Sequence, residues 1–228
     1  MLRDFDVVDS EDSLSFGSLE GDSASKIALK SVSICGELRD LFFEHTISQK
    51  YKNETEKTLE IIYTFPLAWD TALLGMSAII AEKELTGTVV PKADAHAKYE
   101  DAIDKGDSAI MVEKSAKGLY TANLGNIKPG ETVKVNLKCV KLLRFEGDRV
   151  RLAIPTAISM RYGDSHGPSG LAAHESAAVD DKAYYEFSLQ ISLYGEIAKA
   201  NVTCPSHAIV SDPIEGGIRF ALDGPILG

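Results

Sequence analysis

The stretch Phe43-Glu44-His45-Thr46-Ile47-Ser48-Gln49-Lys50-Tyr51-Lys52-Asn53 decides the fold class. Phe43, His45, Ile47, Gln49 and Tyr51 fall on one side of an extended chain, and Glu44, Thr46, Ser48, Lys50 and Lys52 fall on the other. A period of two, with one apolar and one wet side, belongs to a strand that buries a single face. After the polar break Asn53-Glu54-Thr55-Glu56 the pattern repeats, with Leu59, Ile61, Tyr63 and Phe65 set against Thr58, Glu60 and Thr64 until Pro66 stops it. The two runs predict a hairpin whose loop holds Asn53.

The same alternation recurs on both sides of this pair. It begins near Ile27 and returns over 76–82, 85–90, 109–112 and 119–124. It is most regular where Val133, Val135, Leu137 and Cys139 oppose Thr132, Lys134, Asn136 and Lys138, after the turn residues Lys128-Pro129-Gly130-Glu131. Val150, Leu152 and Ile154 continue it, then Tyr185, Phe187, Leu189, Ile191 and Leu193, with shorter pieces near Val202 and over 218–222. Many short strands between turn signals predict an all-β chain, an antiparallel β-sandwich. One segment breaks the period. Over 92–105, Ala95, Tyr99, Ala102 and Ile103 recur at helical spacing, with Pro91 before the start and Gly106 where a left-handed cap is wanted. This predicts one short amphipathic helix.

Length and composition bound the rest. A chain of 228 residues can bury a hydrophobic core without staples. Cys35, Cys139 and Cys204 are an odd number at wide spacing, which points to a reducing compartment and favours a cytoplasmic setting. No apolar run has the length of a signal peptide or a bilayer span. A net charge of -10 opposes nucleic acid and anionic lipid, so neither is an expected partner. Residues 1–24 are rich in Asp, Glu, Ser and Gly and are expected to form a flexible acidic segment. The sequons at Asn53 and Asn201 are expected to be ordinary surface asparagines.

Several strings carry a family resemblance. Glu60-Ile61-Ile62-Tyr63-Thr64-Phe65-Pro66-Leu67, the helical run from Lys92 through Tyr99-Glu100 to Gly106, and Leu124-Gly125-Asn126-Ile127-Lys128-Pro129-Gly130-Glu131 stand in the order found in the VIT domain, the vault protein and inter-alpha-trypsin module, and Gln49-Lys50-Tyr51-Lys52-Asn53 is similar to its first hairpin. The resemblance covers roughly 25–145 and implies a VIT β-sandwich there; 146–228 is expected to supply strands that pack on it or extend it, the other reading being a domain of its own. Cys139 departs from the family, which commonly has an aromatic residue at that position. The resemblance also implies a longer protein in which a von Willebrand factor A domain follows. That domain's metal-dependent adhesion site has no counterpart here, because Asp9-Ser10-Glu11-Asp12-Ser13 has Glu11 where the motif needs its first serine.

No catalytic, cofactor-binding or metal-binding residue is assigned. Cys204-Pro205-Ser206-His207 pairs a thiol with an imidazole, yet a zinc site needs four ligands and the other cysteines sit singly in strand patterns. A buried small cysteine and a loop histidine explain it as well. His166 and His174 lack carboxylate partners at ligand spacing, and His45 and His96 fit as packed, hydrogen-bonded histidines. Glu100, Asp101 and Asp104 read as a solvated helix face, because acid chemistry wants carboxyls facing each other across a cleft. Gly163 and Gly167 lack the Lys-Ser/Thr of a phosphate cradle.

The function expected is that of a non-catalytic structural or protein-interaction module without a cofactor, its partner another protein or a von Willebrand factor A domain in the same chain. The alternative is a glycan- or ligand-binding sandwich using the loops around Trp69 and 161–181, by aromatic stacking.

Overall fold

A computed structural model of the chain describes residues 4–8, 18–20, 27–66, 71–80, 82–87, 92–107, 109–114, 119–154 and 185–227. Its strands are β1 (Asp4–Val8), β2 (Ser18–Glu20), β3 (Ile27–Arg39), β4 (Phe42–Asn53), β5 (Leu59–Pro66), β6 (Thr71–Ile80), β7 (Lys83–Thr86), β8 (Ala109–Lys114), β9 (Leu119–Ile127), β10 (Thr132–Leu142), β11 (Phe145–Glu146), β12 (Arg149–Ala153), β13 (Glu186–Tyr194), β14 (Asn201–Thr203), β15 (Ile209–Ile214), β16 (Gly217–Leu222) and β17 (Ile226–Leu227). The helix α1 spans Lys92–Asp104. Of the acidic segment 1–24, the described residues 4–8 and 18–20 are both strands.

The largest sheet has nine strands in the order β15-β16-β13-β3-β4-β10-β6-β7, with β17 added beside β13. A second sheet runs β2-β5-β9-β8, and a third runs β11-β12-β1-β14. The sheets are mixed rather than purely antiparallel. β13 lies parallel to β3, and β1 lies parallel to both of its neighbours. The strands β13, β15, β16 and β17 thus stand in the same sheet as β3 and β4.

The inner face of the large sheet follows the period of two. Phe43, Ile47 and Tyr51 on β4 are buried, as are Val133, Val135, Leu137 and Cys139 on β10, and they join Leu124 and Ile127 of β9 and Val150 and Leu152 of β12 in one continuous cluster. Burying one such large apolar side chain contributes about 1.5–3 kcal/mol. Gly36 lets Phe43 lie across β3, since a Cβ there would stand 2.5 Å from the Phe43 ring.

The helix sits where the sequence expects it and is fastened by two devices. Tyr99 is buried, and the helix meets β9 at Gly125, where a Cβ would fall 3.0 Å from the Tyr99 hydroxyl and 2.0 Å from Ile103 Cδ1. Any larger residue at 125 must move the Ile103 side chain from where it packs on β9. The C-terminus closes with a Schellman pair. Gly106 N–H donates to the Ile103 carbonyl and Asp107 N–H to that of Ala102, both at 2.9 Å, with Gly106 at φ +76°. Asn126 Nδ2 adds bonds to the Ile103 and Asp107 carbonyls.

The hairpin expected between the first two runs does not form. β4 pairs with β3 and β10, whereas β5 pairs with β2 and β9 in the other sheet. Asn53 is the reason. It is no surface asparagine but is 1 % exposed at the end of β4. Its Nδ2 donates to the carbonyls of Lys57 (2.9 Å) and Ile127 (3.0 Å), and its Oδ1 accepts from the Thr55 amide and hydroxyl. Its backbone N–H donates to the Glu131 carbonyl, and its own carbonyl accepts from Gly130 N–H. Asn53 and Thr55 therefore bend the chain from one sheet to the other in an Asx turn instead of folding it back on itself. The sequon amide nitrogen is fully committed to internal carbonyls.

Removing this side chain takes the Asn53 bond from the buried Ile127 carbonyl and from the Thr55 amide, while the Lys57 carbonyl keeps the Thr55 hydroxyl. Asn53→Ala is expected to cost about 2–4 kcal/mol in urea unfolding. Asn53→Asp, which keeps the acceptor and loses both donors, should cost a comparable amount, whereas Thr55→Ala at the half-buried rim should cost about 1 kcal/mol.

Candidate functional site: a trough on the outer face of the large sheet

The outer faces of β3, β4, β10, β13 and β16 form an open trough of about 640 Å³. Three strand ladders bring one row of side chains across it. Tyr194 is paired with Arg39, Arg39 with Phe42, and Phe42 with Leu142. The Arg39 guanidinium lies 3.9 Å from the Tyr194 ring centroid and is held by Glu37, which accepts from Nη2 at 2.9 Å and from Nε at 3.2 Å. Phe42 and Leu142 are 60 % and 49 % exposed, so this row ends in an uncovered apolar pair.

The adjacent row runs Arg219, Ser192, Glu37, Glu44 and Val140. Glu44 pairs with Lys138 at 2.7 Å. Arg219 makes no ion pair among the described residues, and it also borders the hollow that continues past Tyr194 over Gly195 and Glu215. Cys35 and Gln190 line the far wall. The face thus combines exposed apolar groups at Phe42 and Leu142, a stacked and fixed arginine, and a second cation. Aromatic and arginine side chains are the ones that carry interface energy.

No catalytic arrangement faces this trough. The imidazole of His45 is on the opposite, inner side of β4, stacked on Phe43 with ring centroids 4.5 Å apart. It was expected to be a satisfied core histidine. It is in the core, but Nδ1 is buried with no hydrogen-bond partner among the described residues. Loss of hydration on burial lowers its pKa from 6.5 to about 4, against an opposing pull from the Phe43 backbone, with a smaller lowering from the Lys141 charge. Burial likewise pushes the Cys139 thiol up to about 12.

Of the residues singled out from sequence, Cys204 and His207 lie in the turn after β14, bridged by an exposed hydroxyl. Ser206 Oγ is 3.5 Å from Cys204 Sγ and 3.0 Å from His207 Nδ1. No carboxylate joins them among the described residues, and Cys204 packs half-buried on the edge of the core. Among the described residues no group of His, Cys, Asp and Glu is placed to hold a metal ion. Glu100, Asp101 and Asp104 are exposed on α1, with Asp101 paired to Lys105, and His96 is half-buried on the same helix. Trp69, His166, His174, Gly163, Gly167, the 161–181 loop and Asp9–Ser13 lie outside the described residues. No described helix is long and apolar enough to cross a membrane.

Arg39, Phe42, Leu142, Tyr194 and Arg219 were not singled out from sequence. One signal was available. In a strand of period two, the neighbouring aromatics Phe42 and Phe43 must point to opposite sides, and one of them has to face out.

These features define a β-sandwich module with one seated helix and an open trough on its outer face. The comparisons give the family. Residues 29–139 match the model of the Vault protein inter-alpha-trypsin domain, and this part of the chain is a VIT domain. The chain is similar to von Willebrand factor A domain-containing protein 5A of Rattus norvegicus, at 30 % identity over 140 residues, covering 60 % of this chain and 17 % of that protein. It is also similar to the protein mono-ADP-ribosyltransferase PARP4 of Mus musculus, at 26 % identity over 141 residues, covering 62 % and 7 %. The chain thus spans less than a fifth of these relatives' length. Among solved structures it is similar to an M1 zinc metallopeptidase of Deinococcus radiodurans, with a TM-score of 0.43 and 12 % identity, covering 93 % of this chain and 41 % of that one. A likeness of that degree bears on neither activity nor mechanism.

The buried imidazole sets a pH dependence. Above about pH 6.5 His45 is neutral whether folded or unfolded; below it the unfolded chain takes up a proton that the folded chain refuses until about pH 4. Stability is therefore lost as pH falls through that window. Urea unfolding of the wild type and His45→Phe should show the wild type losing about 2–3 kcal/mol relative to the variant between pH 7.5 and 4.5.

Proposed function

We propose that this chain is a non-catalytic protein-interaction module and that the trough is its docking face. The strands from 146 onward extend the VIT sandwich, since β13 and β16 supply Tyr194 and Arg219 to that face. The observation that carries the reading is the cross-strand row Tyr194–Arg39–Phe42–Leu142. It sets a stacked arginine beside an uncovered apolar pair on an otherwise charged surface. Exposed apolar groups in such a row cost solubility unless something covers them.

The partner we propose is a von Willebrand factor A domain of the same polypeptide. The support is that relatives named for that domain match this chain over 60 % of its length while being several times longer. An acidic surface rimmed by apolar residues on that domain would complement Arg39, Arg219 and Phe42.

The test is a titration of this chain against the von Willebrand factor A segment of its parent polypeptide. Phe42→Glu is expected to weaken binding by about tenfold or more, worth about 1.4 kcal/mol, with thermal unfolding shifted little because Phe42 is exposed. Arg39→Glu should act in the same direction. Unchanged affinity in both variants would refute the docking face, and absence of any binding by the wild type would refute the partner.

A further inference from the structure

β1 lies parallel to both β12 and β14, and among the described residues β14 has no other ladder partner. Asp4–Val8 therefore fills a slot between two strands that do not pair with each other. The register is chemically specific. Asp4 stands at Arg149 and Asp6 at Arg151, while Phe5 stands at Val150 and Val7 at Leu152. Val150 and Leu152 are fully buried, and Arg149 and Arg151 are exposed. β12 thus alternates cation out and apolar in, and the sequence of β1 alternates acid and apolar residue in the complementary order. A slip of one residue would set acids at buried positions, and bases in place of the acids would oppose like charges.

The slot can be served from outside. β1 has five residues, and β2, nine residues further along, is anchored separately against β5. That connection, 9–17, can span about 30 Å when extended. The edges of the large sheet are poor alternatives, since β15 carries Pro213 and β7 is four residues long with two charges.

We propose that the slot between β12 and β14 is an association site for a second copy of this chain, formed by reciprocal exchange of β1. An identical copy brings the acid–apolar strand that the slot reads, and exchange conserves the β1 ladders, so the two forms differ in the 9–17 connection and in the intramolecular advantage of the resident strand.

Charge reversal in the full chain tests this. One variant carries Asp4→Lys and Asp6→Lys, the other Arg149→Glu and Arg151→Glu; each alone opposes like charges, and together each slot matches the other chain's strand. Light scattering of the equimolar mixture should show a 1:1 dimer favoured about tenfold over any dimer of either chain alone. A mixture that remains the sum of its parts overturns the proposal. So does a chain with all four substitutions that fails to regain the wild-type distribution, because the charges are then matched within one copy. Should a reversed chain not fold, Val8→Cys with Ala153→Cys in two differently tagged wild-type backgrounds, oxidised after concentrated incubation, gives the answer by mass spectrometry. Links between positions 8 and 153 across tags support exchange, and links confined to one tag overturn it.

Discussion

The structure depends on a buried amide. Asn53 ends the central strand β4 and takes part in six hydrogen bonds with three separate segments: the Thr55–Lys57 bend, the end of β9, and the Gly130–Glu131 turn. An isolated hydrogen bond contributes about 1 kcal/mol net, and the larger stake is the buried Ile127 carbonyl, which this amide satisfies away from water. Because the Asn53 side chain ties the bend toward β5 to the end of β9 while its backbone pairs with the turn that leads into β10, the relative placement of the two sheets is decided at this corner. The VIT strings that end at Asn53 and at Glu131 meet there in space, which gives their joint occurrence a physical reason.

Once the corner is set, β4 has two distinct faces with different duties. The inner face packs Phe43, Ile47 and Tyr51 and carries two poorly provided polar groups, His45 Nδ1 and Gln49 Nε2, whose hydration is lost on burial in the core. The outer face carries Phe42 and Glu44 into the trough. Cross-strand pairing then lines up residues that are remote in sequence, so that Arg39 rests on Tyr194 and Phe42 lies beside Leu142. Strands of one sheet hold this surface in place.

Strand positions, the helix and its glycine cap, the inward placement of Cys139 and the Gly130 turn were legible because each rests on a local signal: period two, period 3.6, or a left-handed φ. Strand partners were not. Alternation says that a strand has a buried face and is silent about which neighbour covers its edge, and so two successive runs looked like a hairpin. Asn53 looked like turn chemistry, which it is, but the carbonyl of Ile127 that it reaches lies 74 residues away. The parallel β3–β13 ladder and the trough share that origin: Arg39, Tyr194 and Arg219 come from three strands that nothing local connects. The mixed character of the sheets was hidden for the same reason.

Native-state hydrogen exchange at the Asn53 corner tests the account most directly. If the corner couples the two sheets, the amides of Asn53, Thr55 and Gly130 exchange only through global unfolding, with protection matching that of Val135 and Leu137 in the core of β10. Exchange of those three amides through local opening, well below the stability of β10, would contradict it.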